Sequence, residues 1–267
     1  MQVYRGMDIG TAKPPADDRA RIPHHLIDVA DPREQYNAGR FVKDAERLIH
    51  EITARGRTAV VSGGTAFYMT TLVHGLPESP AVDPSVRKQL RDLHARVGQD
   101  AAYRLLTERD PAAARIQPRD RYRTLRALEV LESTGRSLFS FDWPRSPRQD
   151  IRFLLIGLER PRSDLYRRIE ERVLKMFARG LVDEVKALLA EGYGPADPGM
   201  RGIGYSQILS MRLGCLTLPL AQERIARDTR RYAKRQMTFF RALPGVTWAA
   251  PDQAERITGL IQEFHAT

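Results

Sequence analysis

The sequence is poor in cysteine and has no long hydrophobic run. Cys215 is the one cysteine in 267 residues, which excludes an intrachain disulfide and favours a reducing compartment, so we expect a cytoplasmic protein. We expect Cys215 itself to be a small core residue. No run reaches the roughly 18 apolar residues of a transmembrane helix, and the first residues lack the pattern of a secretory signal, so no membrane association is predicted.

Acidic residues are also fewer than basic ones. The chain has 33 Asp and Glu against 43 Lys and Arg, a formal net charge of +10, and such an excess favours nucleic acid or a phosphorylated ligand. Two kinds of motif are missing. The pair His24 and His25 lacks the ligand spacing of a zinc site, and no G-x-x-x-x-G-K-[ST] phosphate loop occurs anywhere.

Short aliphatic runs bounded by Gly, Pro or Asp predict four buried strands. They cover residues 25–32, 58–64, 152–158 and 245–251. Helical patterns separate them; in residues 38–55 one face carries Phe41, Ala45, Leu48 and Ile52. Strands that alternate with helices predict an α/β fold, in which a parallel sheet has helices on both faces.

Strand patterns are missing between residues 78 and 150, where the sequence is rich in arginine and typical of helices. We therefore predict an inserted all-α lobe over 78–150, placed between the two core segments 1–77 and 151–267. A cluster at 115–126 has five arginines and one acid, Asp120, which we expect to cap the following helix. This cluster is either a basic surface loop or part of a nucleic-acid surface.

A long helix is predicted over roughly residues 219–242, and its polar face is almost entirely positive. Only Glu223 and Asp228 oppose seven cations, so pairing within the helix cannot neutralise this face and a polyanion would relieve the repulsion. The alternative is a solvated amphipathic helix. The cations are Arg224, Arg227, Arg230, Arg231, Lys234, Arg235 and Arg241.

Three glycine-containing segments are candidate ligand sites. SGGT at 62–65 follows a predicted strand and opens a helix, GMDIGTAKP at 6–14 includes Lys13, and MRGIGYSQ at 200–207 includes Arg201. Backbone N–H groups at such turns, together with a Lys or Arg, can bind an anion. A tight turn, a surface loop and a surface salt bridge explain the three segments equally well.

Six segments, in this order and spacing, resemble bacterial tRNA dimethylallyltransferases, also called tRNA isopentenyltransferases. They are MQVYRGMDIGTAKP, HHLIDVADP, VVSGGTAFYMTTLVHGL, RALEVLESTGRSL, MRGIGYSQ and RRYAKRQMTFFR. The resemblance implies transfer of a dimethylallyl group from dimethylallyl diphosphate to N6 of the adenosine just 3′ of the anticodon, tRNA position 37, in tRNAs that read codons starting with U. It also implies a P-loop NTPase-like fold, Mg²⁺, nucleotide (ATP) binding and, by our expectation, a monomer.

The same resemblance assigns roles to residues of this sequence. Thr65 would contact the adenosine extruded from the anticodon loop, Arg87 would guard the channel through which the base enters, and Arg201, with Lys13, would bind the diphosphate. Thr65 and Arg201 are the expected catalytic residues. The remaining tRNA contacts implied are Gln2, Tyr122, Arg123, Arg126, Arg227, Thr229, Arg230, Arg231, Lys234, Arg235 and Gln236.

Family members also have a first strand, a Walker-type phosphate loop and a catalytic aspartate two residues before the position of Met1. These are missing here, so we expect this chain to begin late, through an internal start codon or a truncated gene, and to be inactive as it stands. Two alternative functions remain. One is a remnant that binds tRNA without modifying it, and the other is an adenylate isopentenyltransferase, which would need neither the lobe nor the basic helix.

Overall fold

The structure is a computed structural model, and it describes residues 1–76, 80, 82–142, 144 and 146–266. The chain forms two compact units, one of Met1–Leu72 with Asp150–Thr267 and one of Val73–Gln149. The helices are α1 (Ala16–Arg21), α2 (Ala38–Ala54), α3 (Ala66–His74), α4 (Pro84–Arg109), α5 (Arg121–Thr134), α6 (Arg162–Ala178), α7 (Leu181–Ala190), α8 (Tyr205–Arg212), α9 (Leu218–Arg241) and α10 (Ala254–Ala266). Short 3-10 helices cover Pro111–Arg115, Leu138–Ser140 and Gly199–Arg201.

Helix α2 follows its sequence pattern closely. The Asn37 side chain accepts a hydrogen bond from the Arg40 N–H, which caps the helix where its first amides lack partners. Phe41, Ala45 and Leu48 are buried as predicted, whereas Ile52 is half-buried near the end of the helix.

The core of the first unit is built by one face each of α2, α6, α7, α8 and α9. Burial of a large aliphatic or aromatic side chain contributes about 1.5–3 kcal/mol, so this core is what holds the helices together. Among its members are Phe41, Val173, Leu181, Val185, Tyr205, Ile208 and Ile225.

The sheet is smaller than predicted. Strand β1 (Leu155–Leu158) pairs in parallel with β2 (Val246–Ala249), and Leu155 lies opposite Val246, which confirms an α/β fold with a parallel sheet. The strands predicted at 25–32 and 58–64 are wrong, because an aliphatic run becomes a strand only beside a neighbour that completes its hydrogen bonds. Residues 25–32 contribute one parallel bridge, Tyr4 to Ala30, and in residues 58–64 no strand forms.

The second unit, in its described residues, is helical. Helix α4 is kinked at Gly98, and it packs with α5 around Leu90, Leu106 and Leu128. The Asp120 side chain accepts from the Arg123 N–H at the start of α5, so the predicted cap is confirmed. The sequence predicts an inserted lobe over residues 78–150, and this unit covers residues 73–149.

Two further expectations concern exposure. Cys215 is exposed, so its predicted place in the core is wrong; it lies in the connection between α8 and α9, and such connections run over the surface. Of the helices in the described part of the chain, none combines the length and the apolar character that crossing a membrane requires.

Candidate functional site

The first thirteen residues, which we call the N-terminal loop, contain the predicted site residues Gln2 and Lys13. The Gln2 side-chain amide donates to the carbonyl oxygens of Thr11 at 3.2 Å and Ala12 at 2.9 Å, so it closes the loop on itself. Ala12 has a φ of +50°, which is uncommon for a residue with a side chain and indicates a backbone held in place by its surroundings.

Lys13 lies at the centre of this loop, and its side chain is only 3% exposed. Its ammonium group donates to the Tyr4 carbonyl oxygen at 2.6 Å and to Asp8 Oδ1 at 2.7 Å, and it also pairs with the Asp28 carboxylate. Two carboxylates thus balance one buried cation, as a buried charge requires. Binding of a diphosphate by Lys13 stays a prediction, and such a ligand would compete with Asp8 and Asp28.

Arg201 ends the 3-10 helix Gly199–Arg201 and is exposed. Its Nη2 donates to the Ala196 carbonyl oxygen at 2.7 Å, which anchors one side of the guanidinium. The turn lies against the N-terminal loop, because a Cβ atom built on Gly202 would come within 2.6 Å of Met1 Cε. The structure therefore brings the segment of Gln2 close to the segment of Arg201, although they are about 200 residues apart in sequence.

The SGGT segment is attached to helix α9. The Gly64 carbonyl oxygen accepts from the Gln236 side-chain amide and, at 3.4 Å, from the Tyr232 hydroxyl. Thr65 follows at once; it is exposed, and its carbonyl oxygen accepts from Tyr68 N–H at 2.9 Å to begin α3. The residue predicted to contact adenosine is thus next to a helix predicted to bind tRNA.

Helix α9 has the predicted boundaries within a residue, but its cations are better paired than the sequence indicated. Arg227 and Arg231 lie 3.2 and 3.7 Å from the Asp228 carboxylate. Arg230 reaches Glu170 of α6 at 2.7 Å, a partner that no inspection of α9 alone could reveal. Thr229 donates its hydroxyl to the Ile225 carbonyl oxygen.

Arg241 pairs with Glu159 at 3.2 Å, and three cations of α9 remain without an acidic partner among the described residues: Arg224, Lys234 and Arg235. The Arg235 guanidinium lies 5.7 Å from the ring centroid of Tyr232, a cation–π contact. Two aromatic side chains are exposed in this half of the helix: Tyr232 is 37% and Phe239 is 42% exposed. Exposed aromatic rings beside cations are suited to stacking on bases and pairing with phosphates.

In the second unit, considered by itself, the predicted tRNA contacts gather around α5. Tyr122 is 75% exposed in its first turn, and the neighbouring Arg123 pairs with Asp120 at 3.6 Å. Arg87 of α4 and Arg126 of α5 lie 3.5 and 3.6 Å from one carboxylate, that of Glu129. That these arginines and α9 serve one tRNA stays a prediction.

The described residues contain no group of three His, Cys, Asp or Glu side chains able to hold a metal ion. Asp8 of the N-terminal loop and Asp28 are bound to Lys13, and the Glu184 carboxylate accepts from the loop's own backbone N–H groups. These residues therefore do not fit a site in which the protein alone binds Mg²⁺, and the predicted Mg²⁺ stays a prediction.

A family model described as IPP transferase matches residues 2–243. The chain belongs to that family. The resemblance seen in the sequence is thereby confirmed. The chain is 43% identical over 267 residues to a tRNA dimethylallyltransferase of Geobacter sulfurreducens. The match covers 99% of this chain and 86% of the relative. With a tRNA dimethylallyltransferase of Thermomicrobium roseum it shares 46% identity over 249 residues, covering 92% and 75%.

Solved structures of other IPP transferases have the same fold. The tRNA isopentenylpyrophosphate transferase of Bacillus halodurans matches with a TM-score of 0.67 at 36% identity, covering 98% of this chain and 86% of that one. A eukaryotic dimethylallyltransferase described as acting on tRNA matches with a TM-score of 0.82 at 26% identity, covering 100% and 71%. Nothing in these comparisons supports the expectation that the chain is inactive.

Sequence reasoning missed several residues that support the site. Asp28 and Glu184 bind groups that are distant in sequence, and Glu129 binds the distant Arg87 as well as its neighbour Arg126. An acidic residue in a helix or loop has no local signal for a distant partner. Tyr205 lies inside the MRGIGYSQ motif, which was recognised for Arg201 alone; its 1% exposure follows from the position of a large ring at the start of a helix that faces the core.

Proposed function

We propose that the chain transfers the dimethylallyl group of dimethylallyl diphosphate to N6 of the adenosine at tRNA position 37, in tRNAs that read codons starting with U. Family membership supports prenyl transfer, and the names of the relatives support tRNA as acceptor. The observation that carries the proposal is the bond from Gln236 of α9 to the Gly64 carbonyl oxygen, because it joins the turn of Thr65 to the basic helix.

The reaction forms a bond between adenine N6 and C1 of the dimethylallyl group and breaks the bond from C1 to the diphosphate oxygen. N6 loses one proton, and diphosphate leaves with the electron pair of the broken bond. An adenine in a stacked loop does not expose N6 to such a donor, so the base must leave its stack. The exposed Thr65 hydroxyl would then hydrogen-bond the extruded base.

Arg201 is the proposed partner of the leaving diphosphate. Its guanidinium is exposed and anchored through Nη2 alone among the described residues, so its other donors can face an anion. A fixed cation stabilises charge that develops on the leaving group in the transition state. Mg²⁺ belongs to the proposal only as an ion held by diphosphate oxygens, and nucleotide binding, the monomeric state and a cytoplasmic location stay predictions.

The exposed cations of α9 and the arginines around α5 are the proposed contacts of the anticodon stem-loop. Cations on a helix neutralise phosphates without reading sequence, which fits an enzyme that acts on several tRNAs. Selection of the adenosine would then depend on the contacts made at Thr65.

The test uses radiolabelled dimethylallyl diphosphate with two tRNA transcripts that differ only at position 37, adenosine in one and guanosine in the other. We expect label on the adenosine transcript and none on the guanosine transcript, which has no N6 amine. Free AMP is a third acceptor. Label on AMP but not on tRNA would favour the adenylate isopentenyltransferase, and tRNA binding without label would favour the remnant.

A further inference from the structure

Three successive backbone N–H groups of the N-terminal loop point at one carboxylate, that of Glu184 in helix α7. Asp8 N and Ile9 N lie 2.8 and 2.6 Å from Oε2, and Gly10 N lies 3.1 Å from Oε1. Consecutive N–H groups of this kind form a nest, a concavity that binds anions. Here the anion comes from the protein itself, 174 to 176 residues away in sequence.

A fourth donor completes the arrangement. The Tyr205 hydroxyl, at the first residue of α8, donates to Glu184 Oε1 at 2.6 Å. Burial, followed by the hydrogen bond to Glu184, raises the pKa of the Tyr205 phenol, so the group remains a proton donor throughout the physiological range. Hydrogen bonds to an ionised acceptor are roughly twice as strong as neutral ones.

The packing around this carboxylate requires a glycine in the loop. A Cβ atom on Gly10 would lie 2.6 Å from Cε2 and Cζ of the Tyr205 ring, closer than atoms can approach. The ring is held by the core, so it cannot move aside cheaply. Gly10 and Tyr205 therefore fit each other directly, and Glu184 binds them both.

Glu184 thereby connects the two segments that contain the proposed diphosphate ligands. The N-terminal loop holds Lys13 and the predicted tRNA contact Gln2, and α8 begins four residues after Arg201. In the described residues no other carboxylate accepts hydrogen bonds from both segments. A small displacement of a positioning group can lower the rate of a reaction strongly, because a misplacement of about 1 Å in the reacting geometry can cost about 100-fold in rate.

We propose that Glu184, together with Tyr205, is a positioning residue for prenyl transfer: it fixes the N-terminal loop on helix α8 and so sets the place of Gln2 and Lys13 relative to Arg201. The kinetic part of this inference rests on the proposed function, whereas the attachment of the loop does not.

The test compares Glu184→Gln with Asp183→Asn. The first variant keeps the shape of the side chain but removes its charge and replaces one acceptor oxygen by a donor. The second removes a charge from the next residue, whose side chain is 76% exposed and paired with Lys186. Two quantities are measured: amide deuterium exchange in residues 7–13, and kcat and KM for tRNA in prenyl transfer.

For Glu184→Gln we expect amide exchange in residues 7–13 to become about tenfold faster and kcat to fall by about tenfold. Both are the expected effect of losing a charged hydrogen bond. KM for tRNA should change less than kcat, because Gln2 is the one predicted tRNA contact in this loop and the others lie on other elements. Asp183→Asn should match the wild type in both. Tyr205→Phe deletes only the fourth donor, so it should change exchange and kcat in the same direction but by less. It replaces Glu184→Gln as the test variant if Glu184→Gln does not fold.

Exchange and kinetics together distinguish the attachment of the loop, the positioning role of Glu184 and the proposed function. Exchange in Glu184→Gln equal to that in Asp183→Asn would overturn the attachment of the loop, and faster exchange with unchanged kcat would overturn the positioning role. A wild type that transfers no label contradicts the proposed function, whereas faster exchange in residues 7–13 of Glu184→Gln still supports the attachment.

Discussion

The side-chain amide of Gln236 donates to the carbonyl oxygen of Gly64, across 172 residues of sequence. This bond fixes the turn that contains Thr65 on the second half of α9. The turn allows the close approach because residue 64 has no side chain: a Cβ atom there would lie 2.0 Å from Gln236 Nε2. The position of Thr65 and the position of the basic helix are therefore set together.

A methyl group at position 64 should break this link without unfolding the protein. In Gly64→Ala the flexible end of Gln236 can move away, so we expect a loss of about 0.5–1.5 kcal/mol, the usual net worth of one hydrogen bond. Gln236→Ala should cost about as much, and the double variant should cost little more than either, because both remove one interaction. Urea unfolding measures this. Gly259→Ala, where a Cβ atom meets nothing within 4 Å, is the control. If the losses of Gly64→Ala and Gln236→Ala add up in the double variant, the two residues do not act through one common hydrogen bond.

Charge reversal on α9 should weaken tRNA binding without selecting among tRNAs. Arg231 is 65% exposed in its side chain, and Arg235 has no acidic partner in the described part of the chain. We expect Arg231→Glu and Arg235→Glu each to raise the Kd for an anticodon stem-loop by about tenfold. Each should also lower the slope of log Kd against log salt concentration by about one or more. The measurement is filter binding at several salt concentrations.

Arg47→Glu is the matched control for that experiment. Arg47 is exposed on α2 and paired with Glu51, so the variant changes the net charge equally but outside the proposed surface. An equal loss of affinity in Arg47→Glu would show that net charge, rather than the face of α9, attracts the tRNA.

Thr65→Ala should affect the reaction more than the binding of tRNA. The lost hydroxyl is the proposed partner of one extruded base, whereas many phosphate contacts hold the tRNA. We expect kcat to fall by about tenfold, with KM for tRNA changed less than about twofold. Thr65→Ser keeps the hydroxyl and should retain most of the activity. A raised KM with unchanged kcat would assign Thr65 to tRNA binding instead.

Local patterns predicted the helices well. The spacing of Phe41, Ala45 and Leu48 and the cap at Asp120 are properties of neighbouring residues, and the boundaries of α9 follow from its two faces. The strands were predicted less well, because a strand depends on its partner. The run 58–64 is aliphatic, yet Val60 is 83% exposed, and no periodicity can show which neighbour a run will have.

The sequence predicted which segments contribute to the site, but not how their side chains are arranged relative to one another. Sequence reasoning selected Lys13 for its charge, but its pairing with Asp8 and Asp28 depends on a loop closed by Gln2. In the same way the excess charge of α9 is partly balanced by Glu170 of α6. Such pairs join residues that only the tertiary fold brings together, so composition overestimates how many cations remain open to a ligand.

Glu129 holds two of the proposed tRNA contacts in the second unit. Its side chain is 9% exposed and lies 3.5 Å from Arg87 Nε and 3.6 Å from Arg126 Nη1. Glu129→Gln removes the charge that both guanidinium groups face. We expect a loss of stability of about 1–2 kcal/mol, since a largely buried charged interaction is costly to break.

Glu132→Gln on the same helix is the control for this variant. Glu132 is 45% exposed and pairs with Arg109 at 2.9 Å, and exposed pairs of this kind contribute about 0.2–1 kcal/mol. Both variants replace an arginine-paired Glu of the same helix by Gln. The difference between their free energies of unfolding therefore measures the effect of burial. Equal losses would mean that Glu129 does no more than an exposed ion pair, and that the directions of Arg87 and Arg126 are set by packing alone.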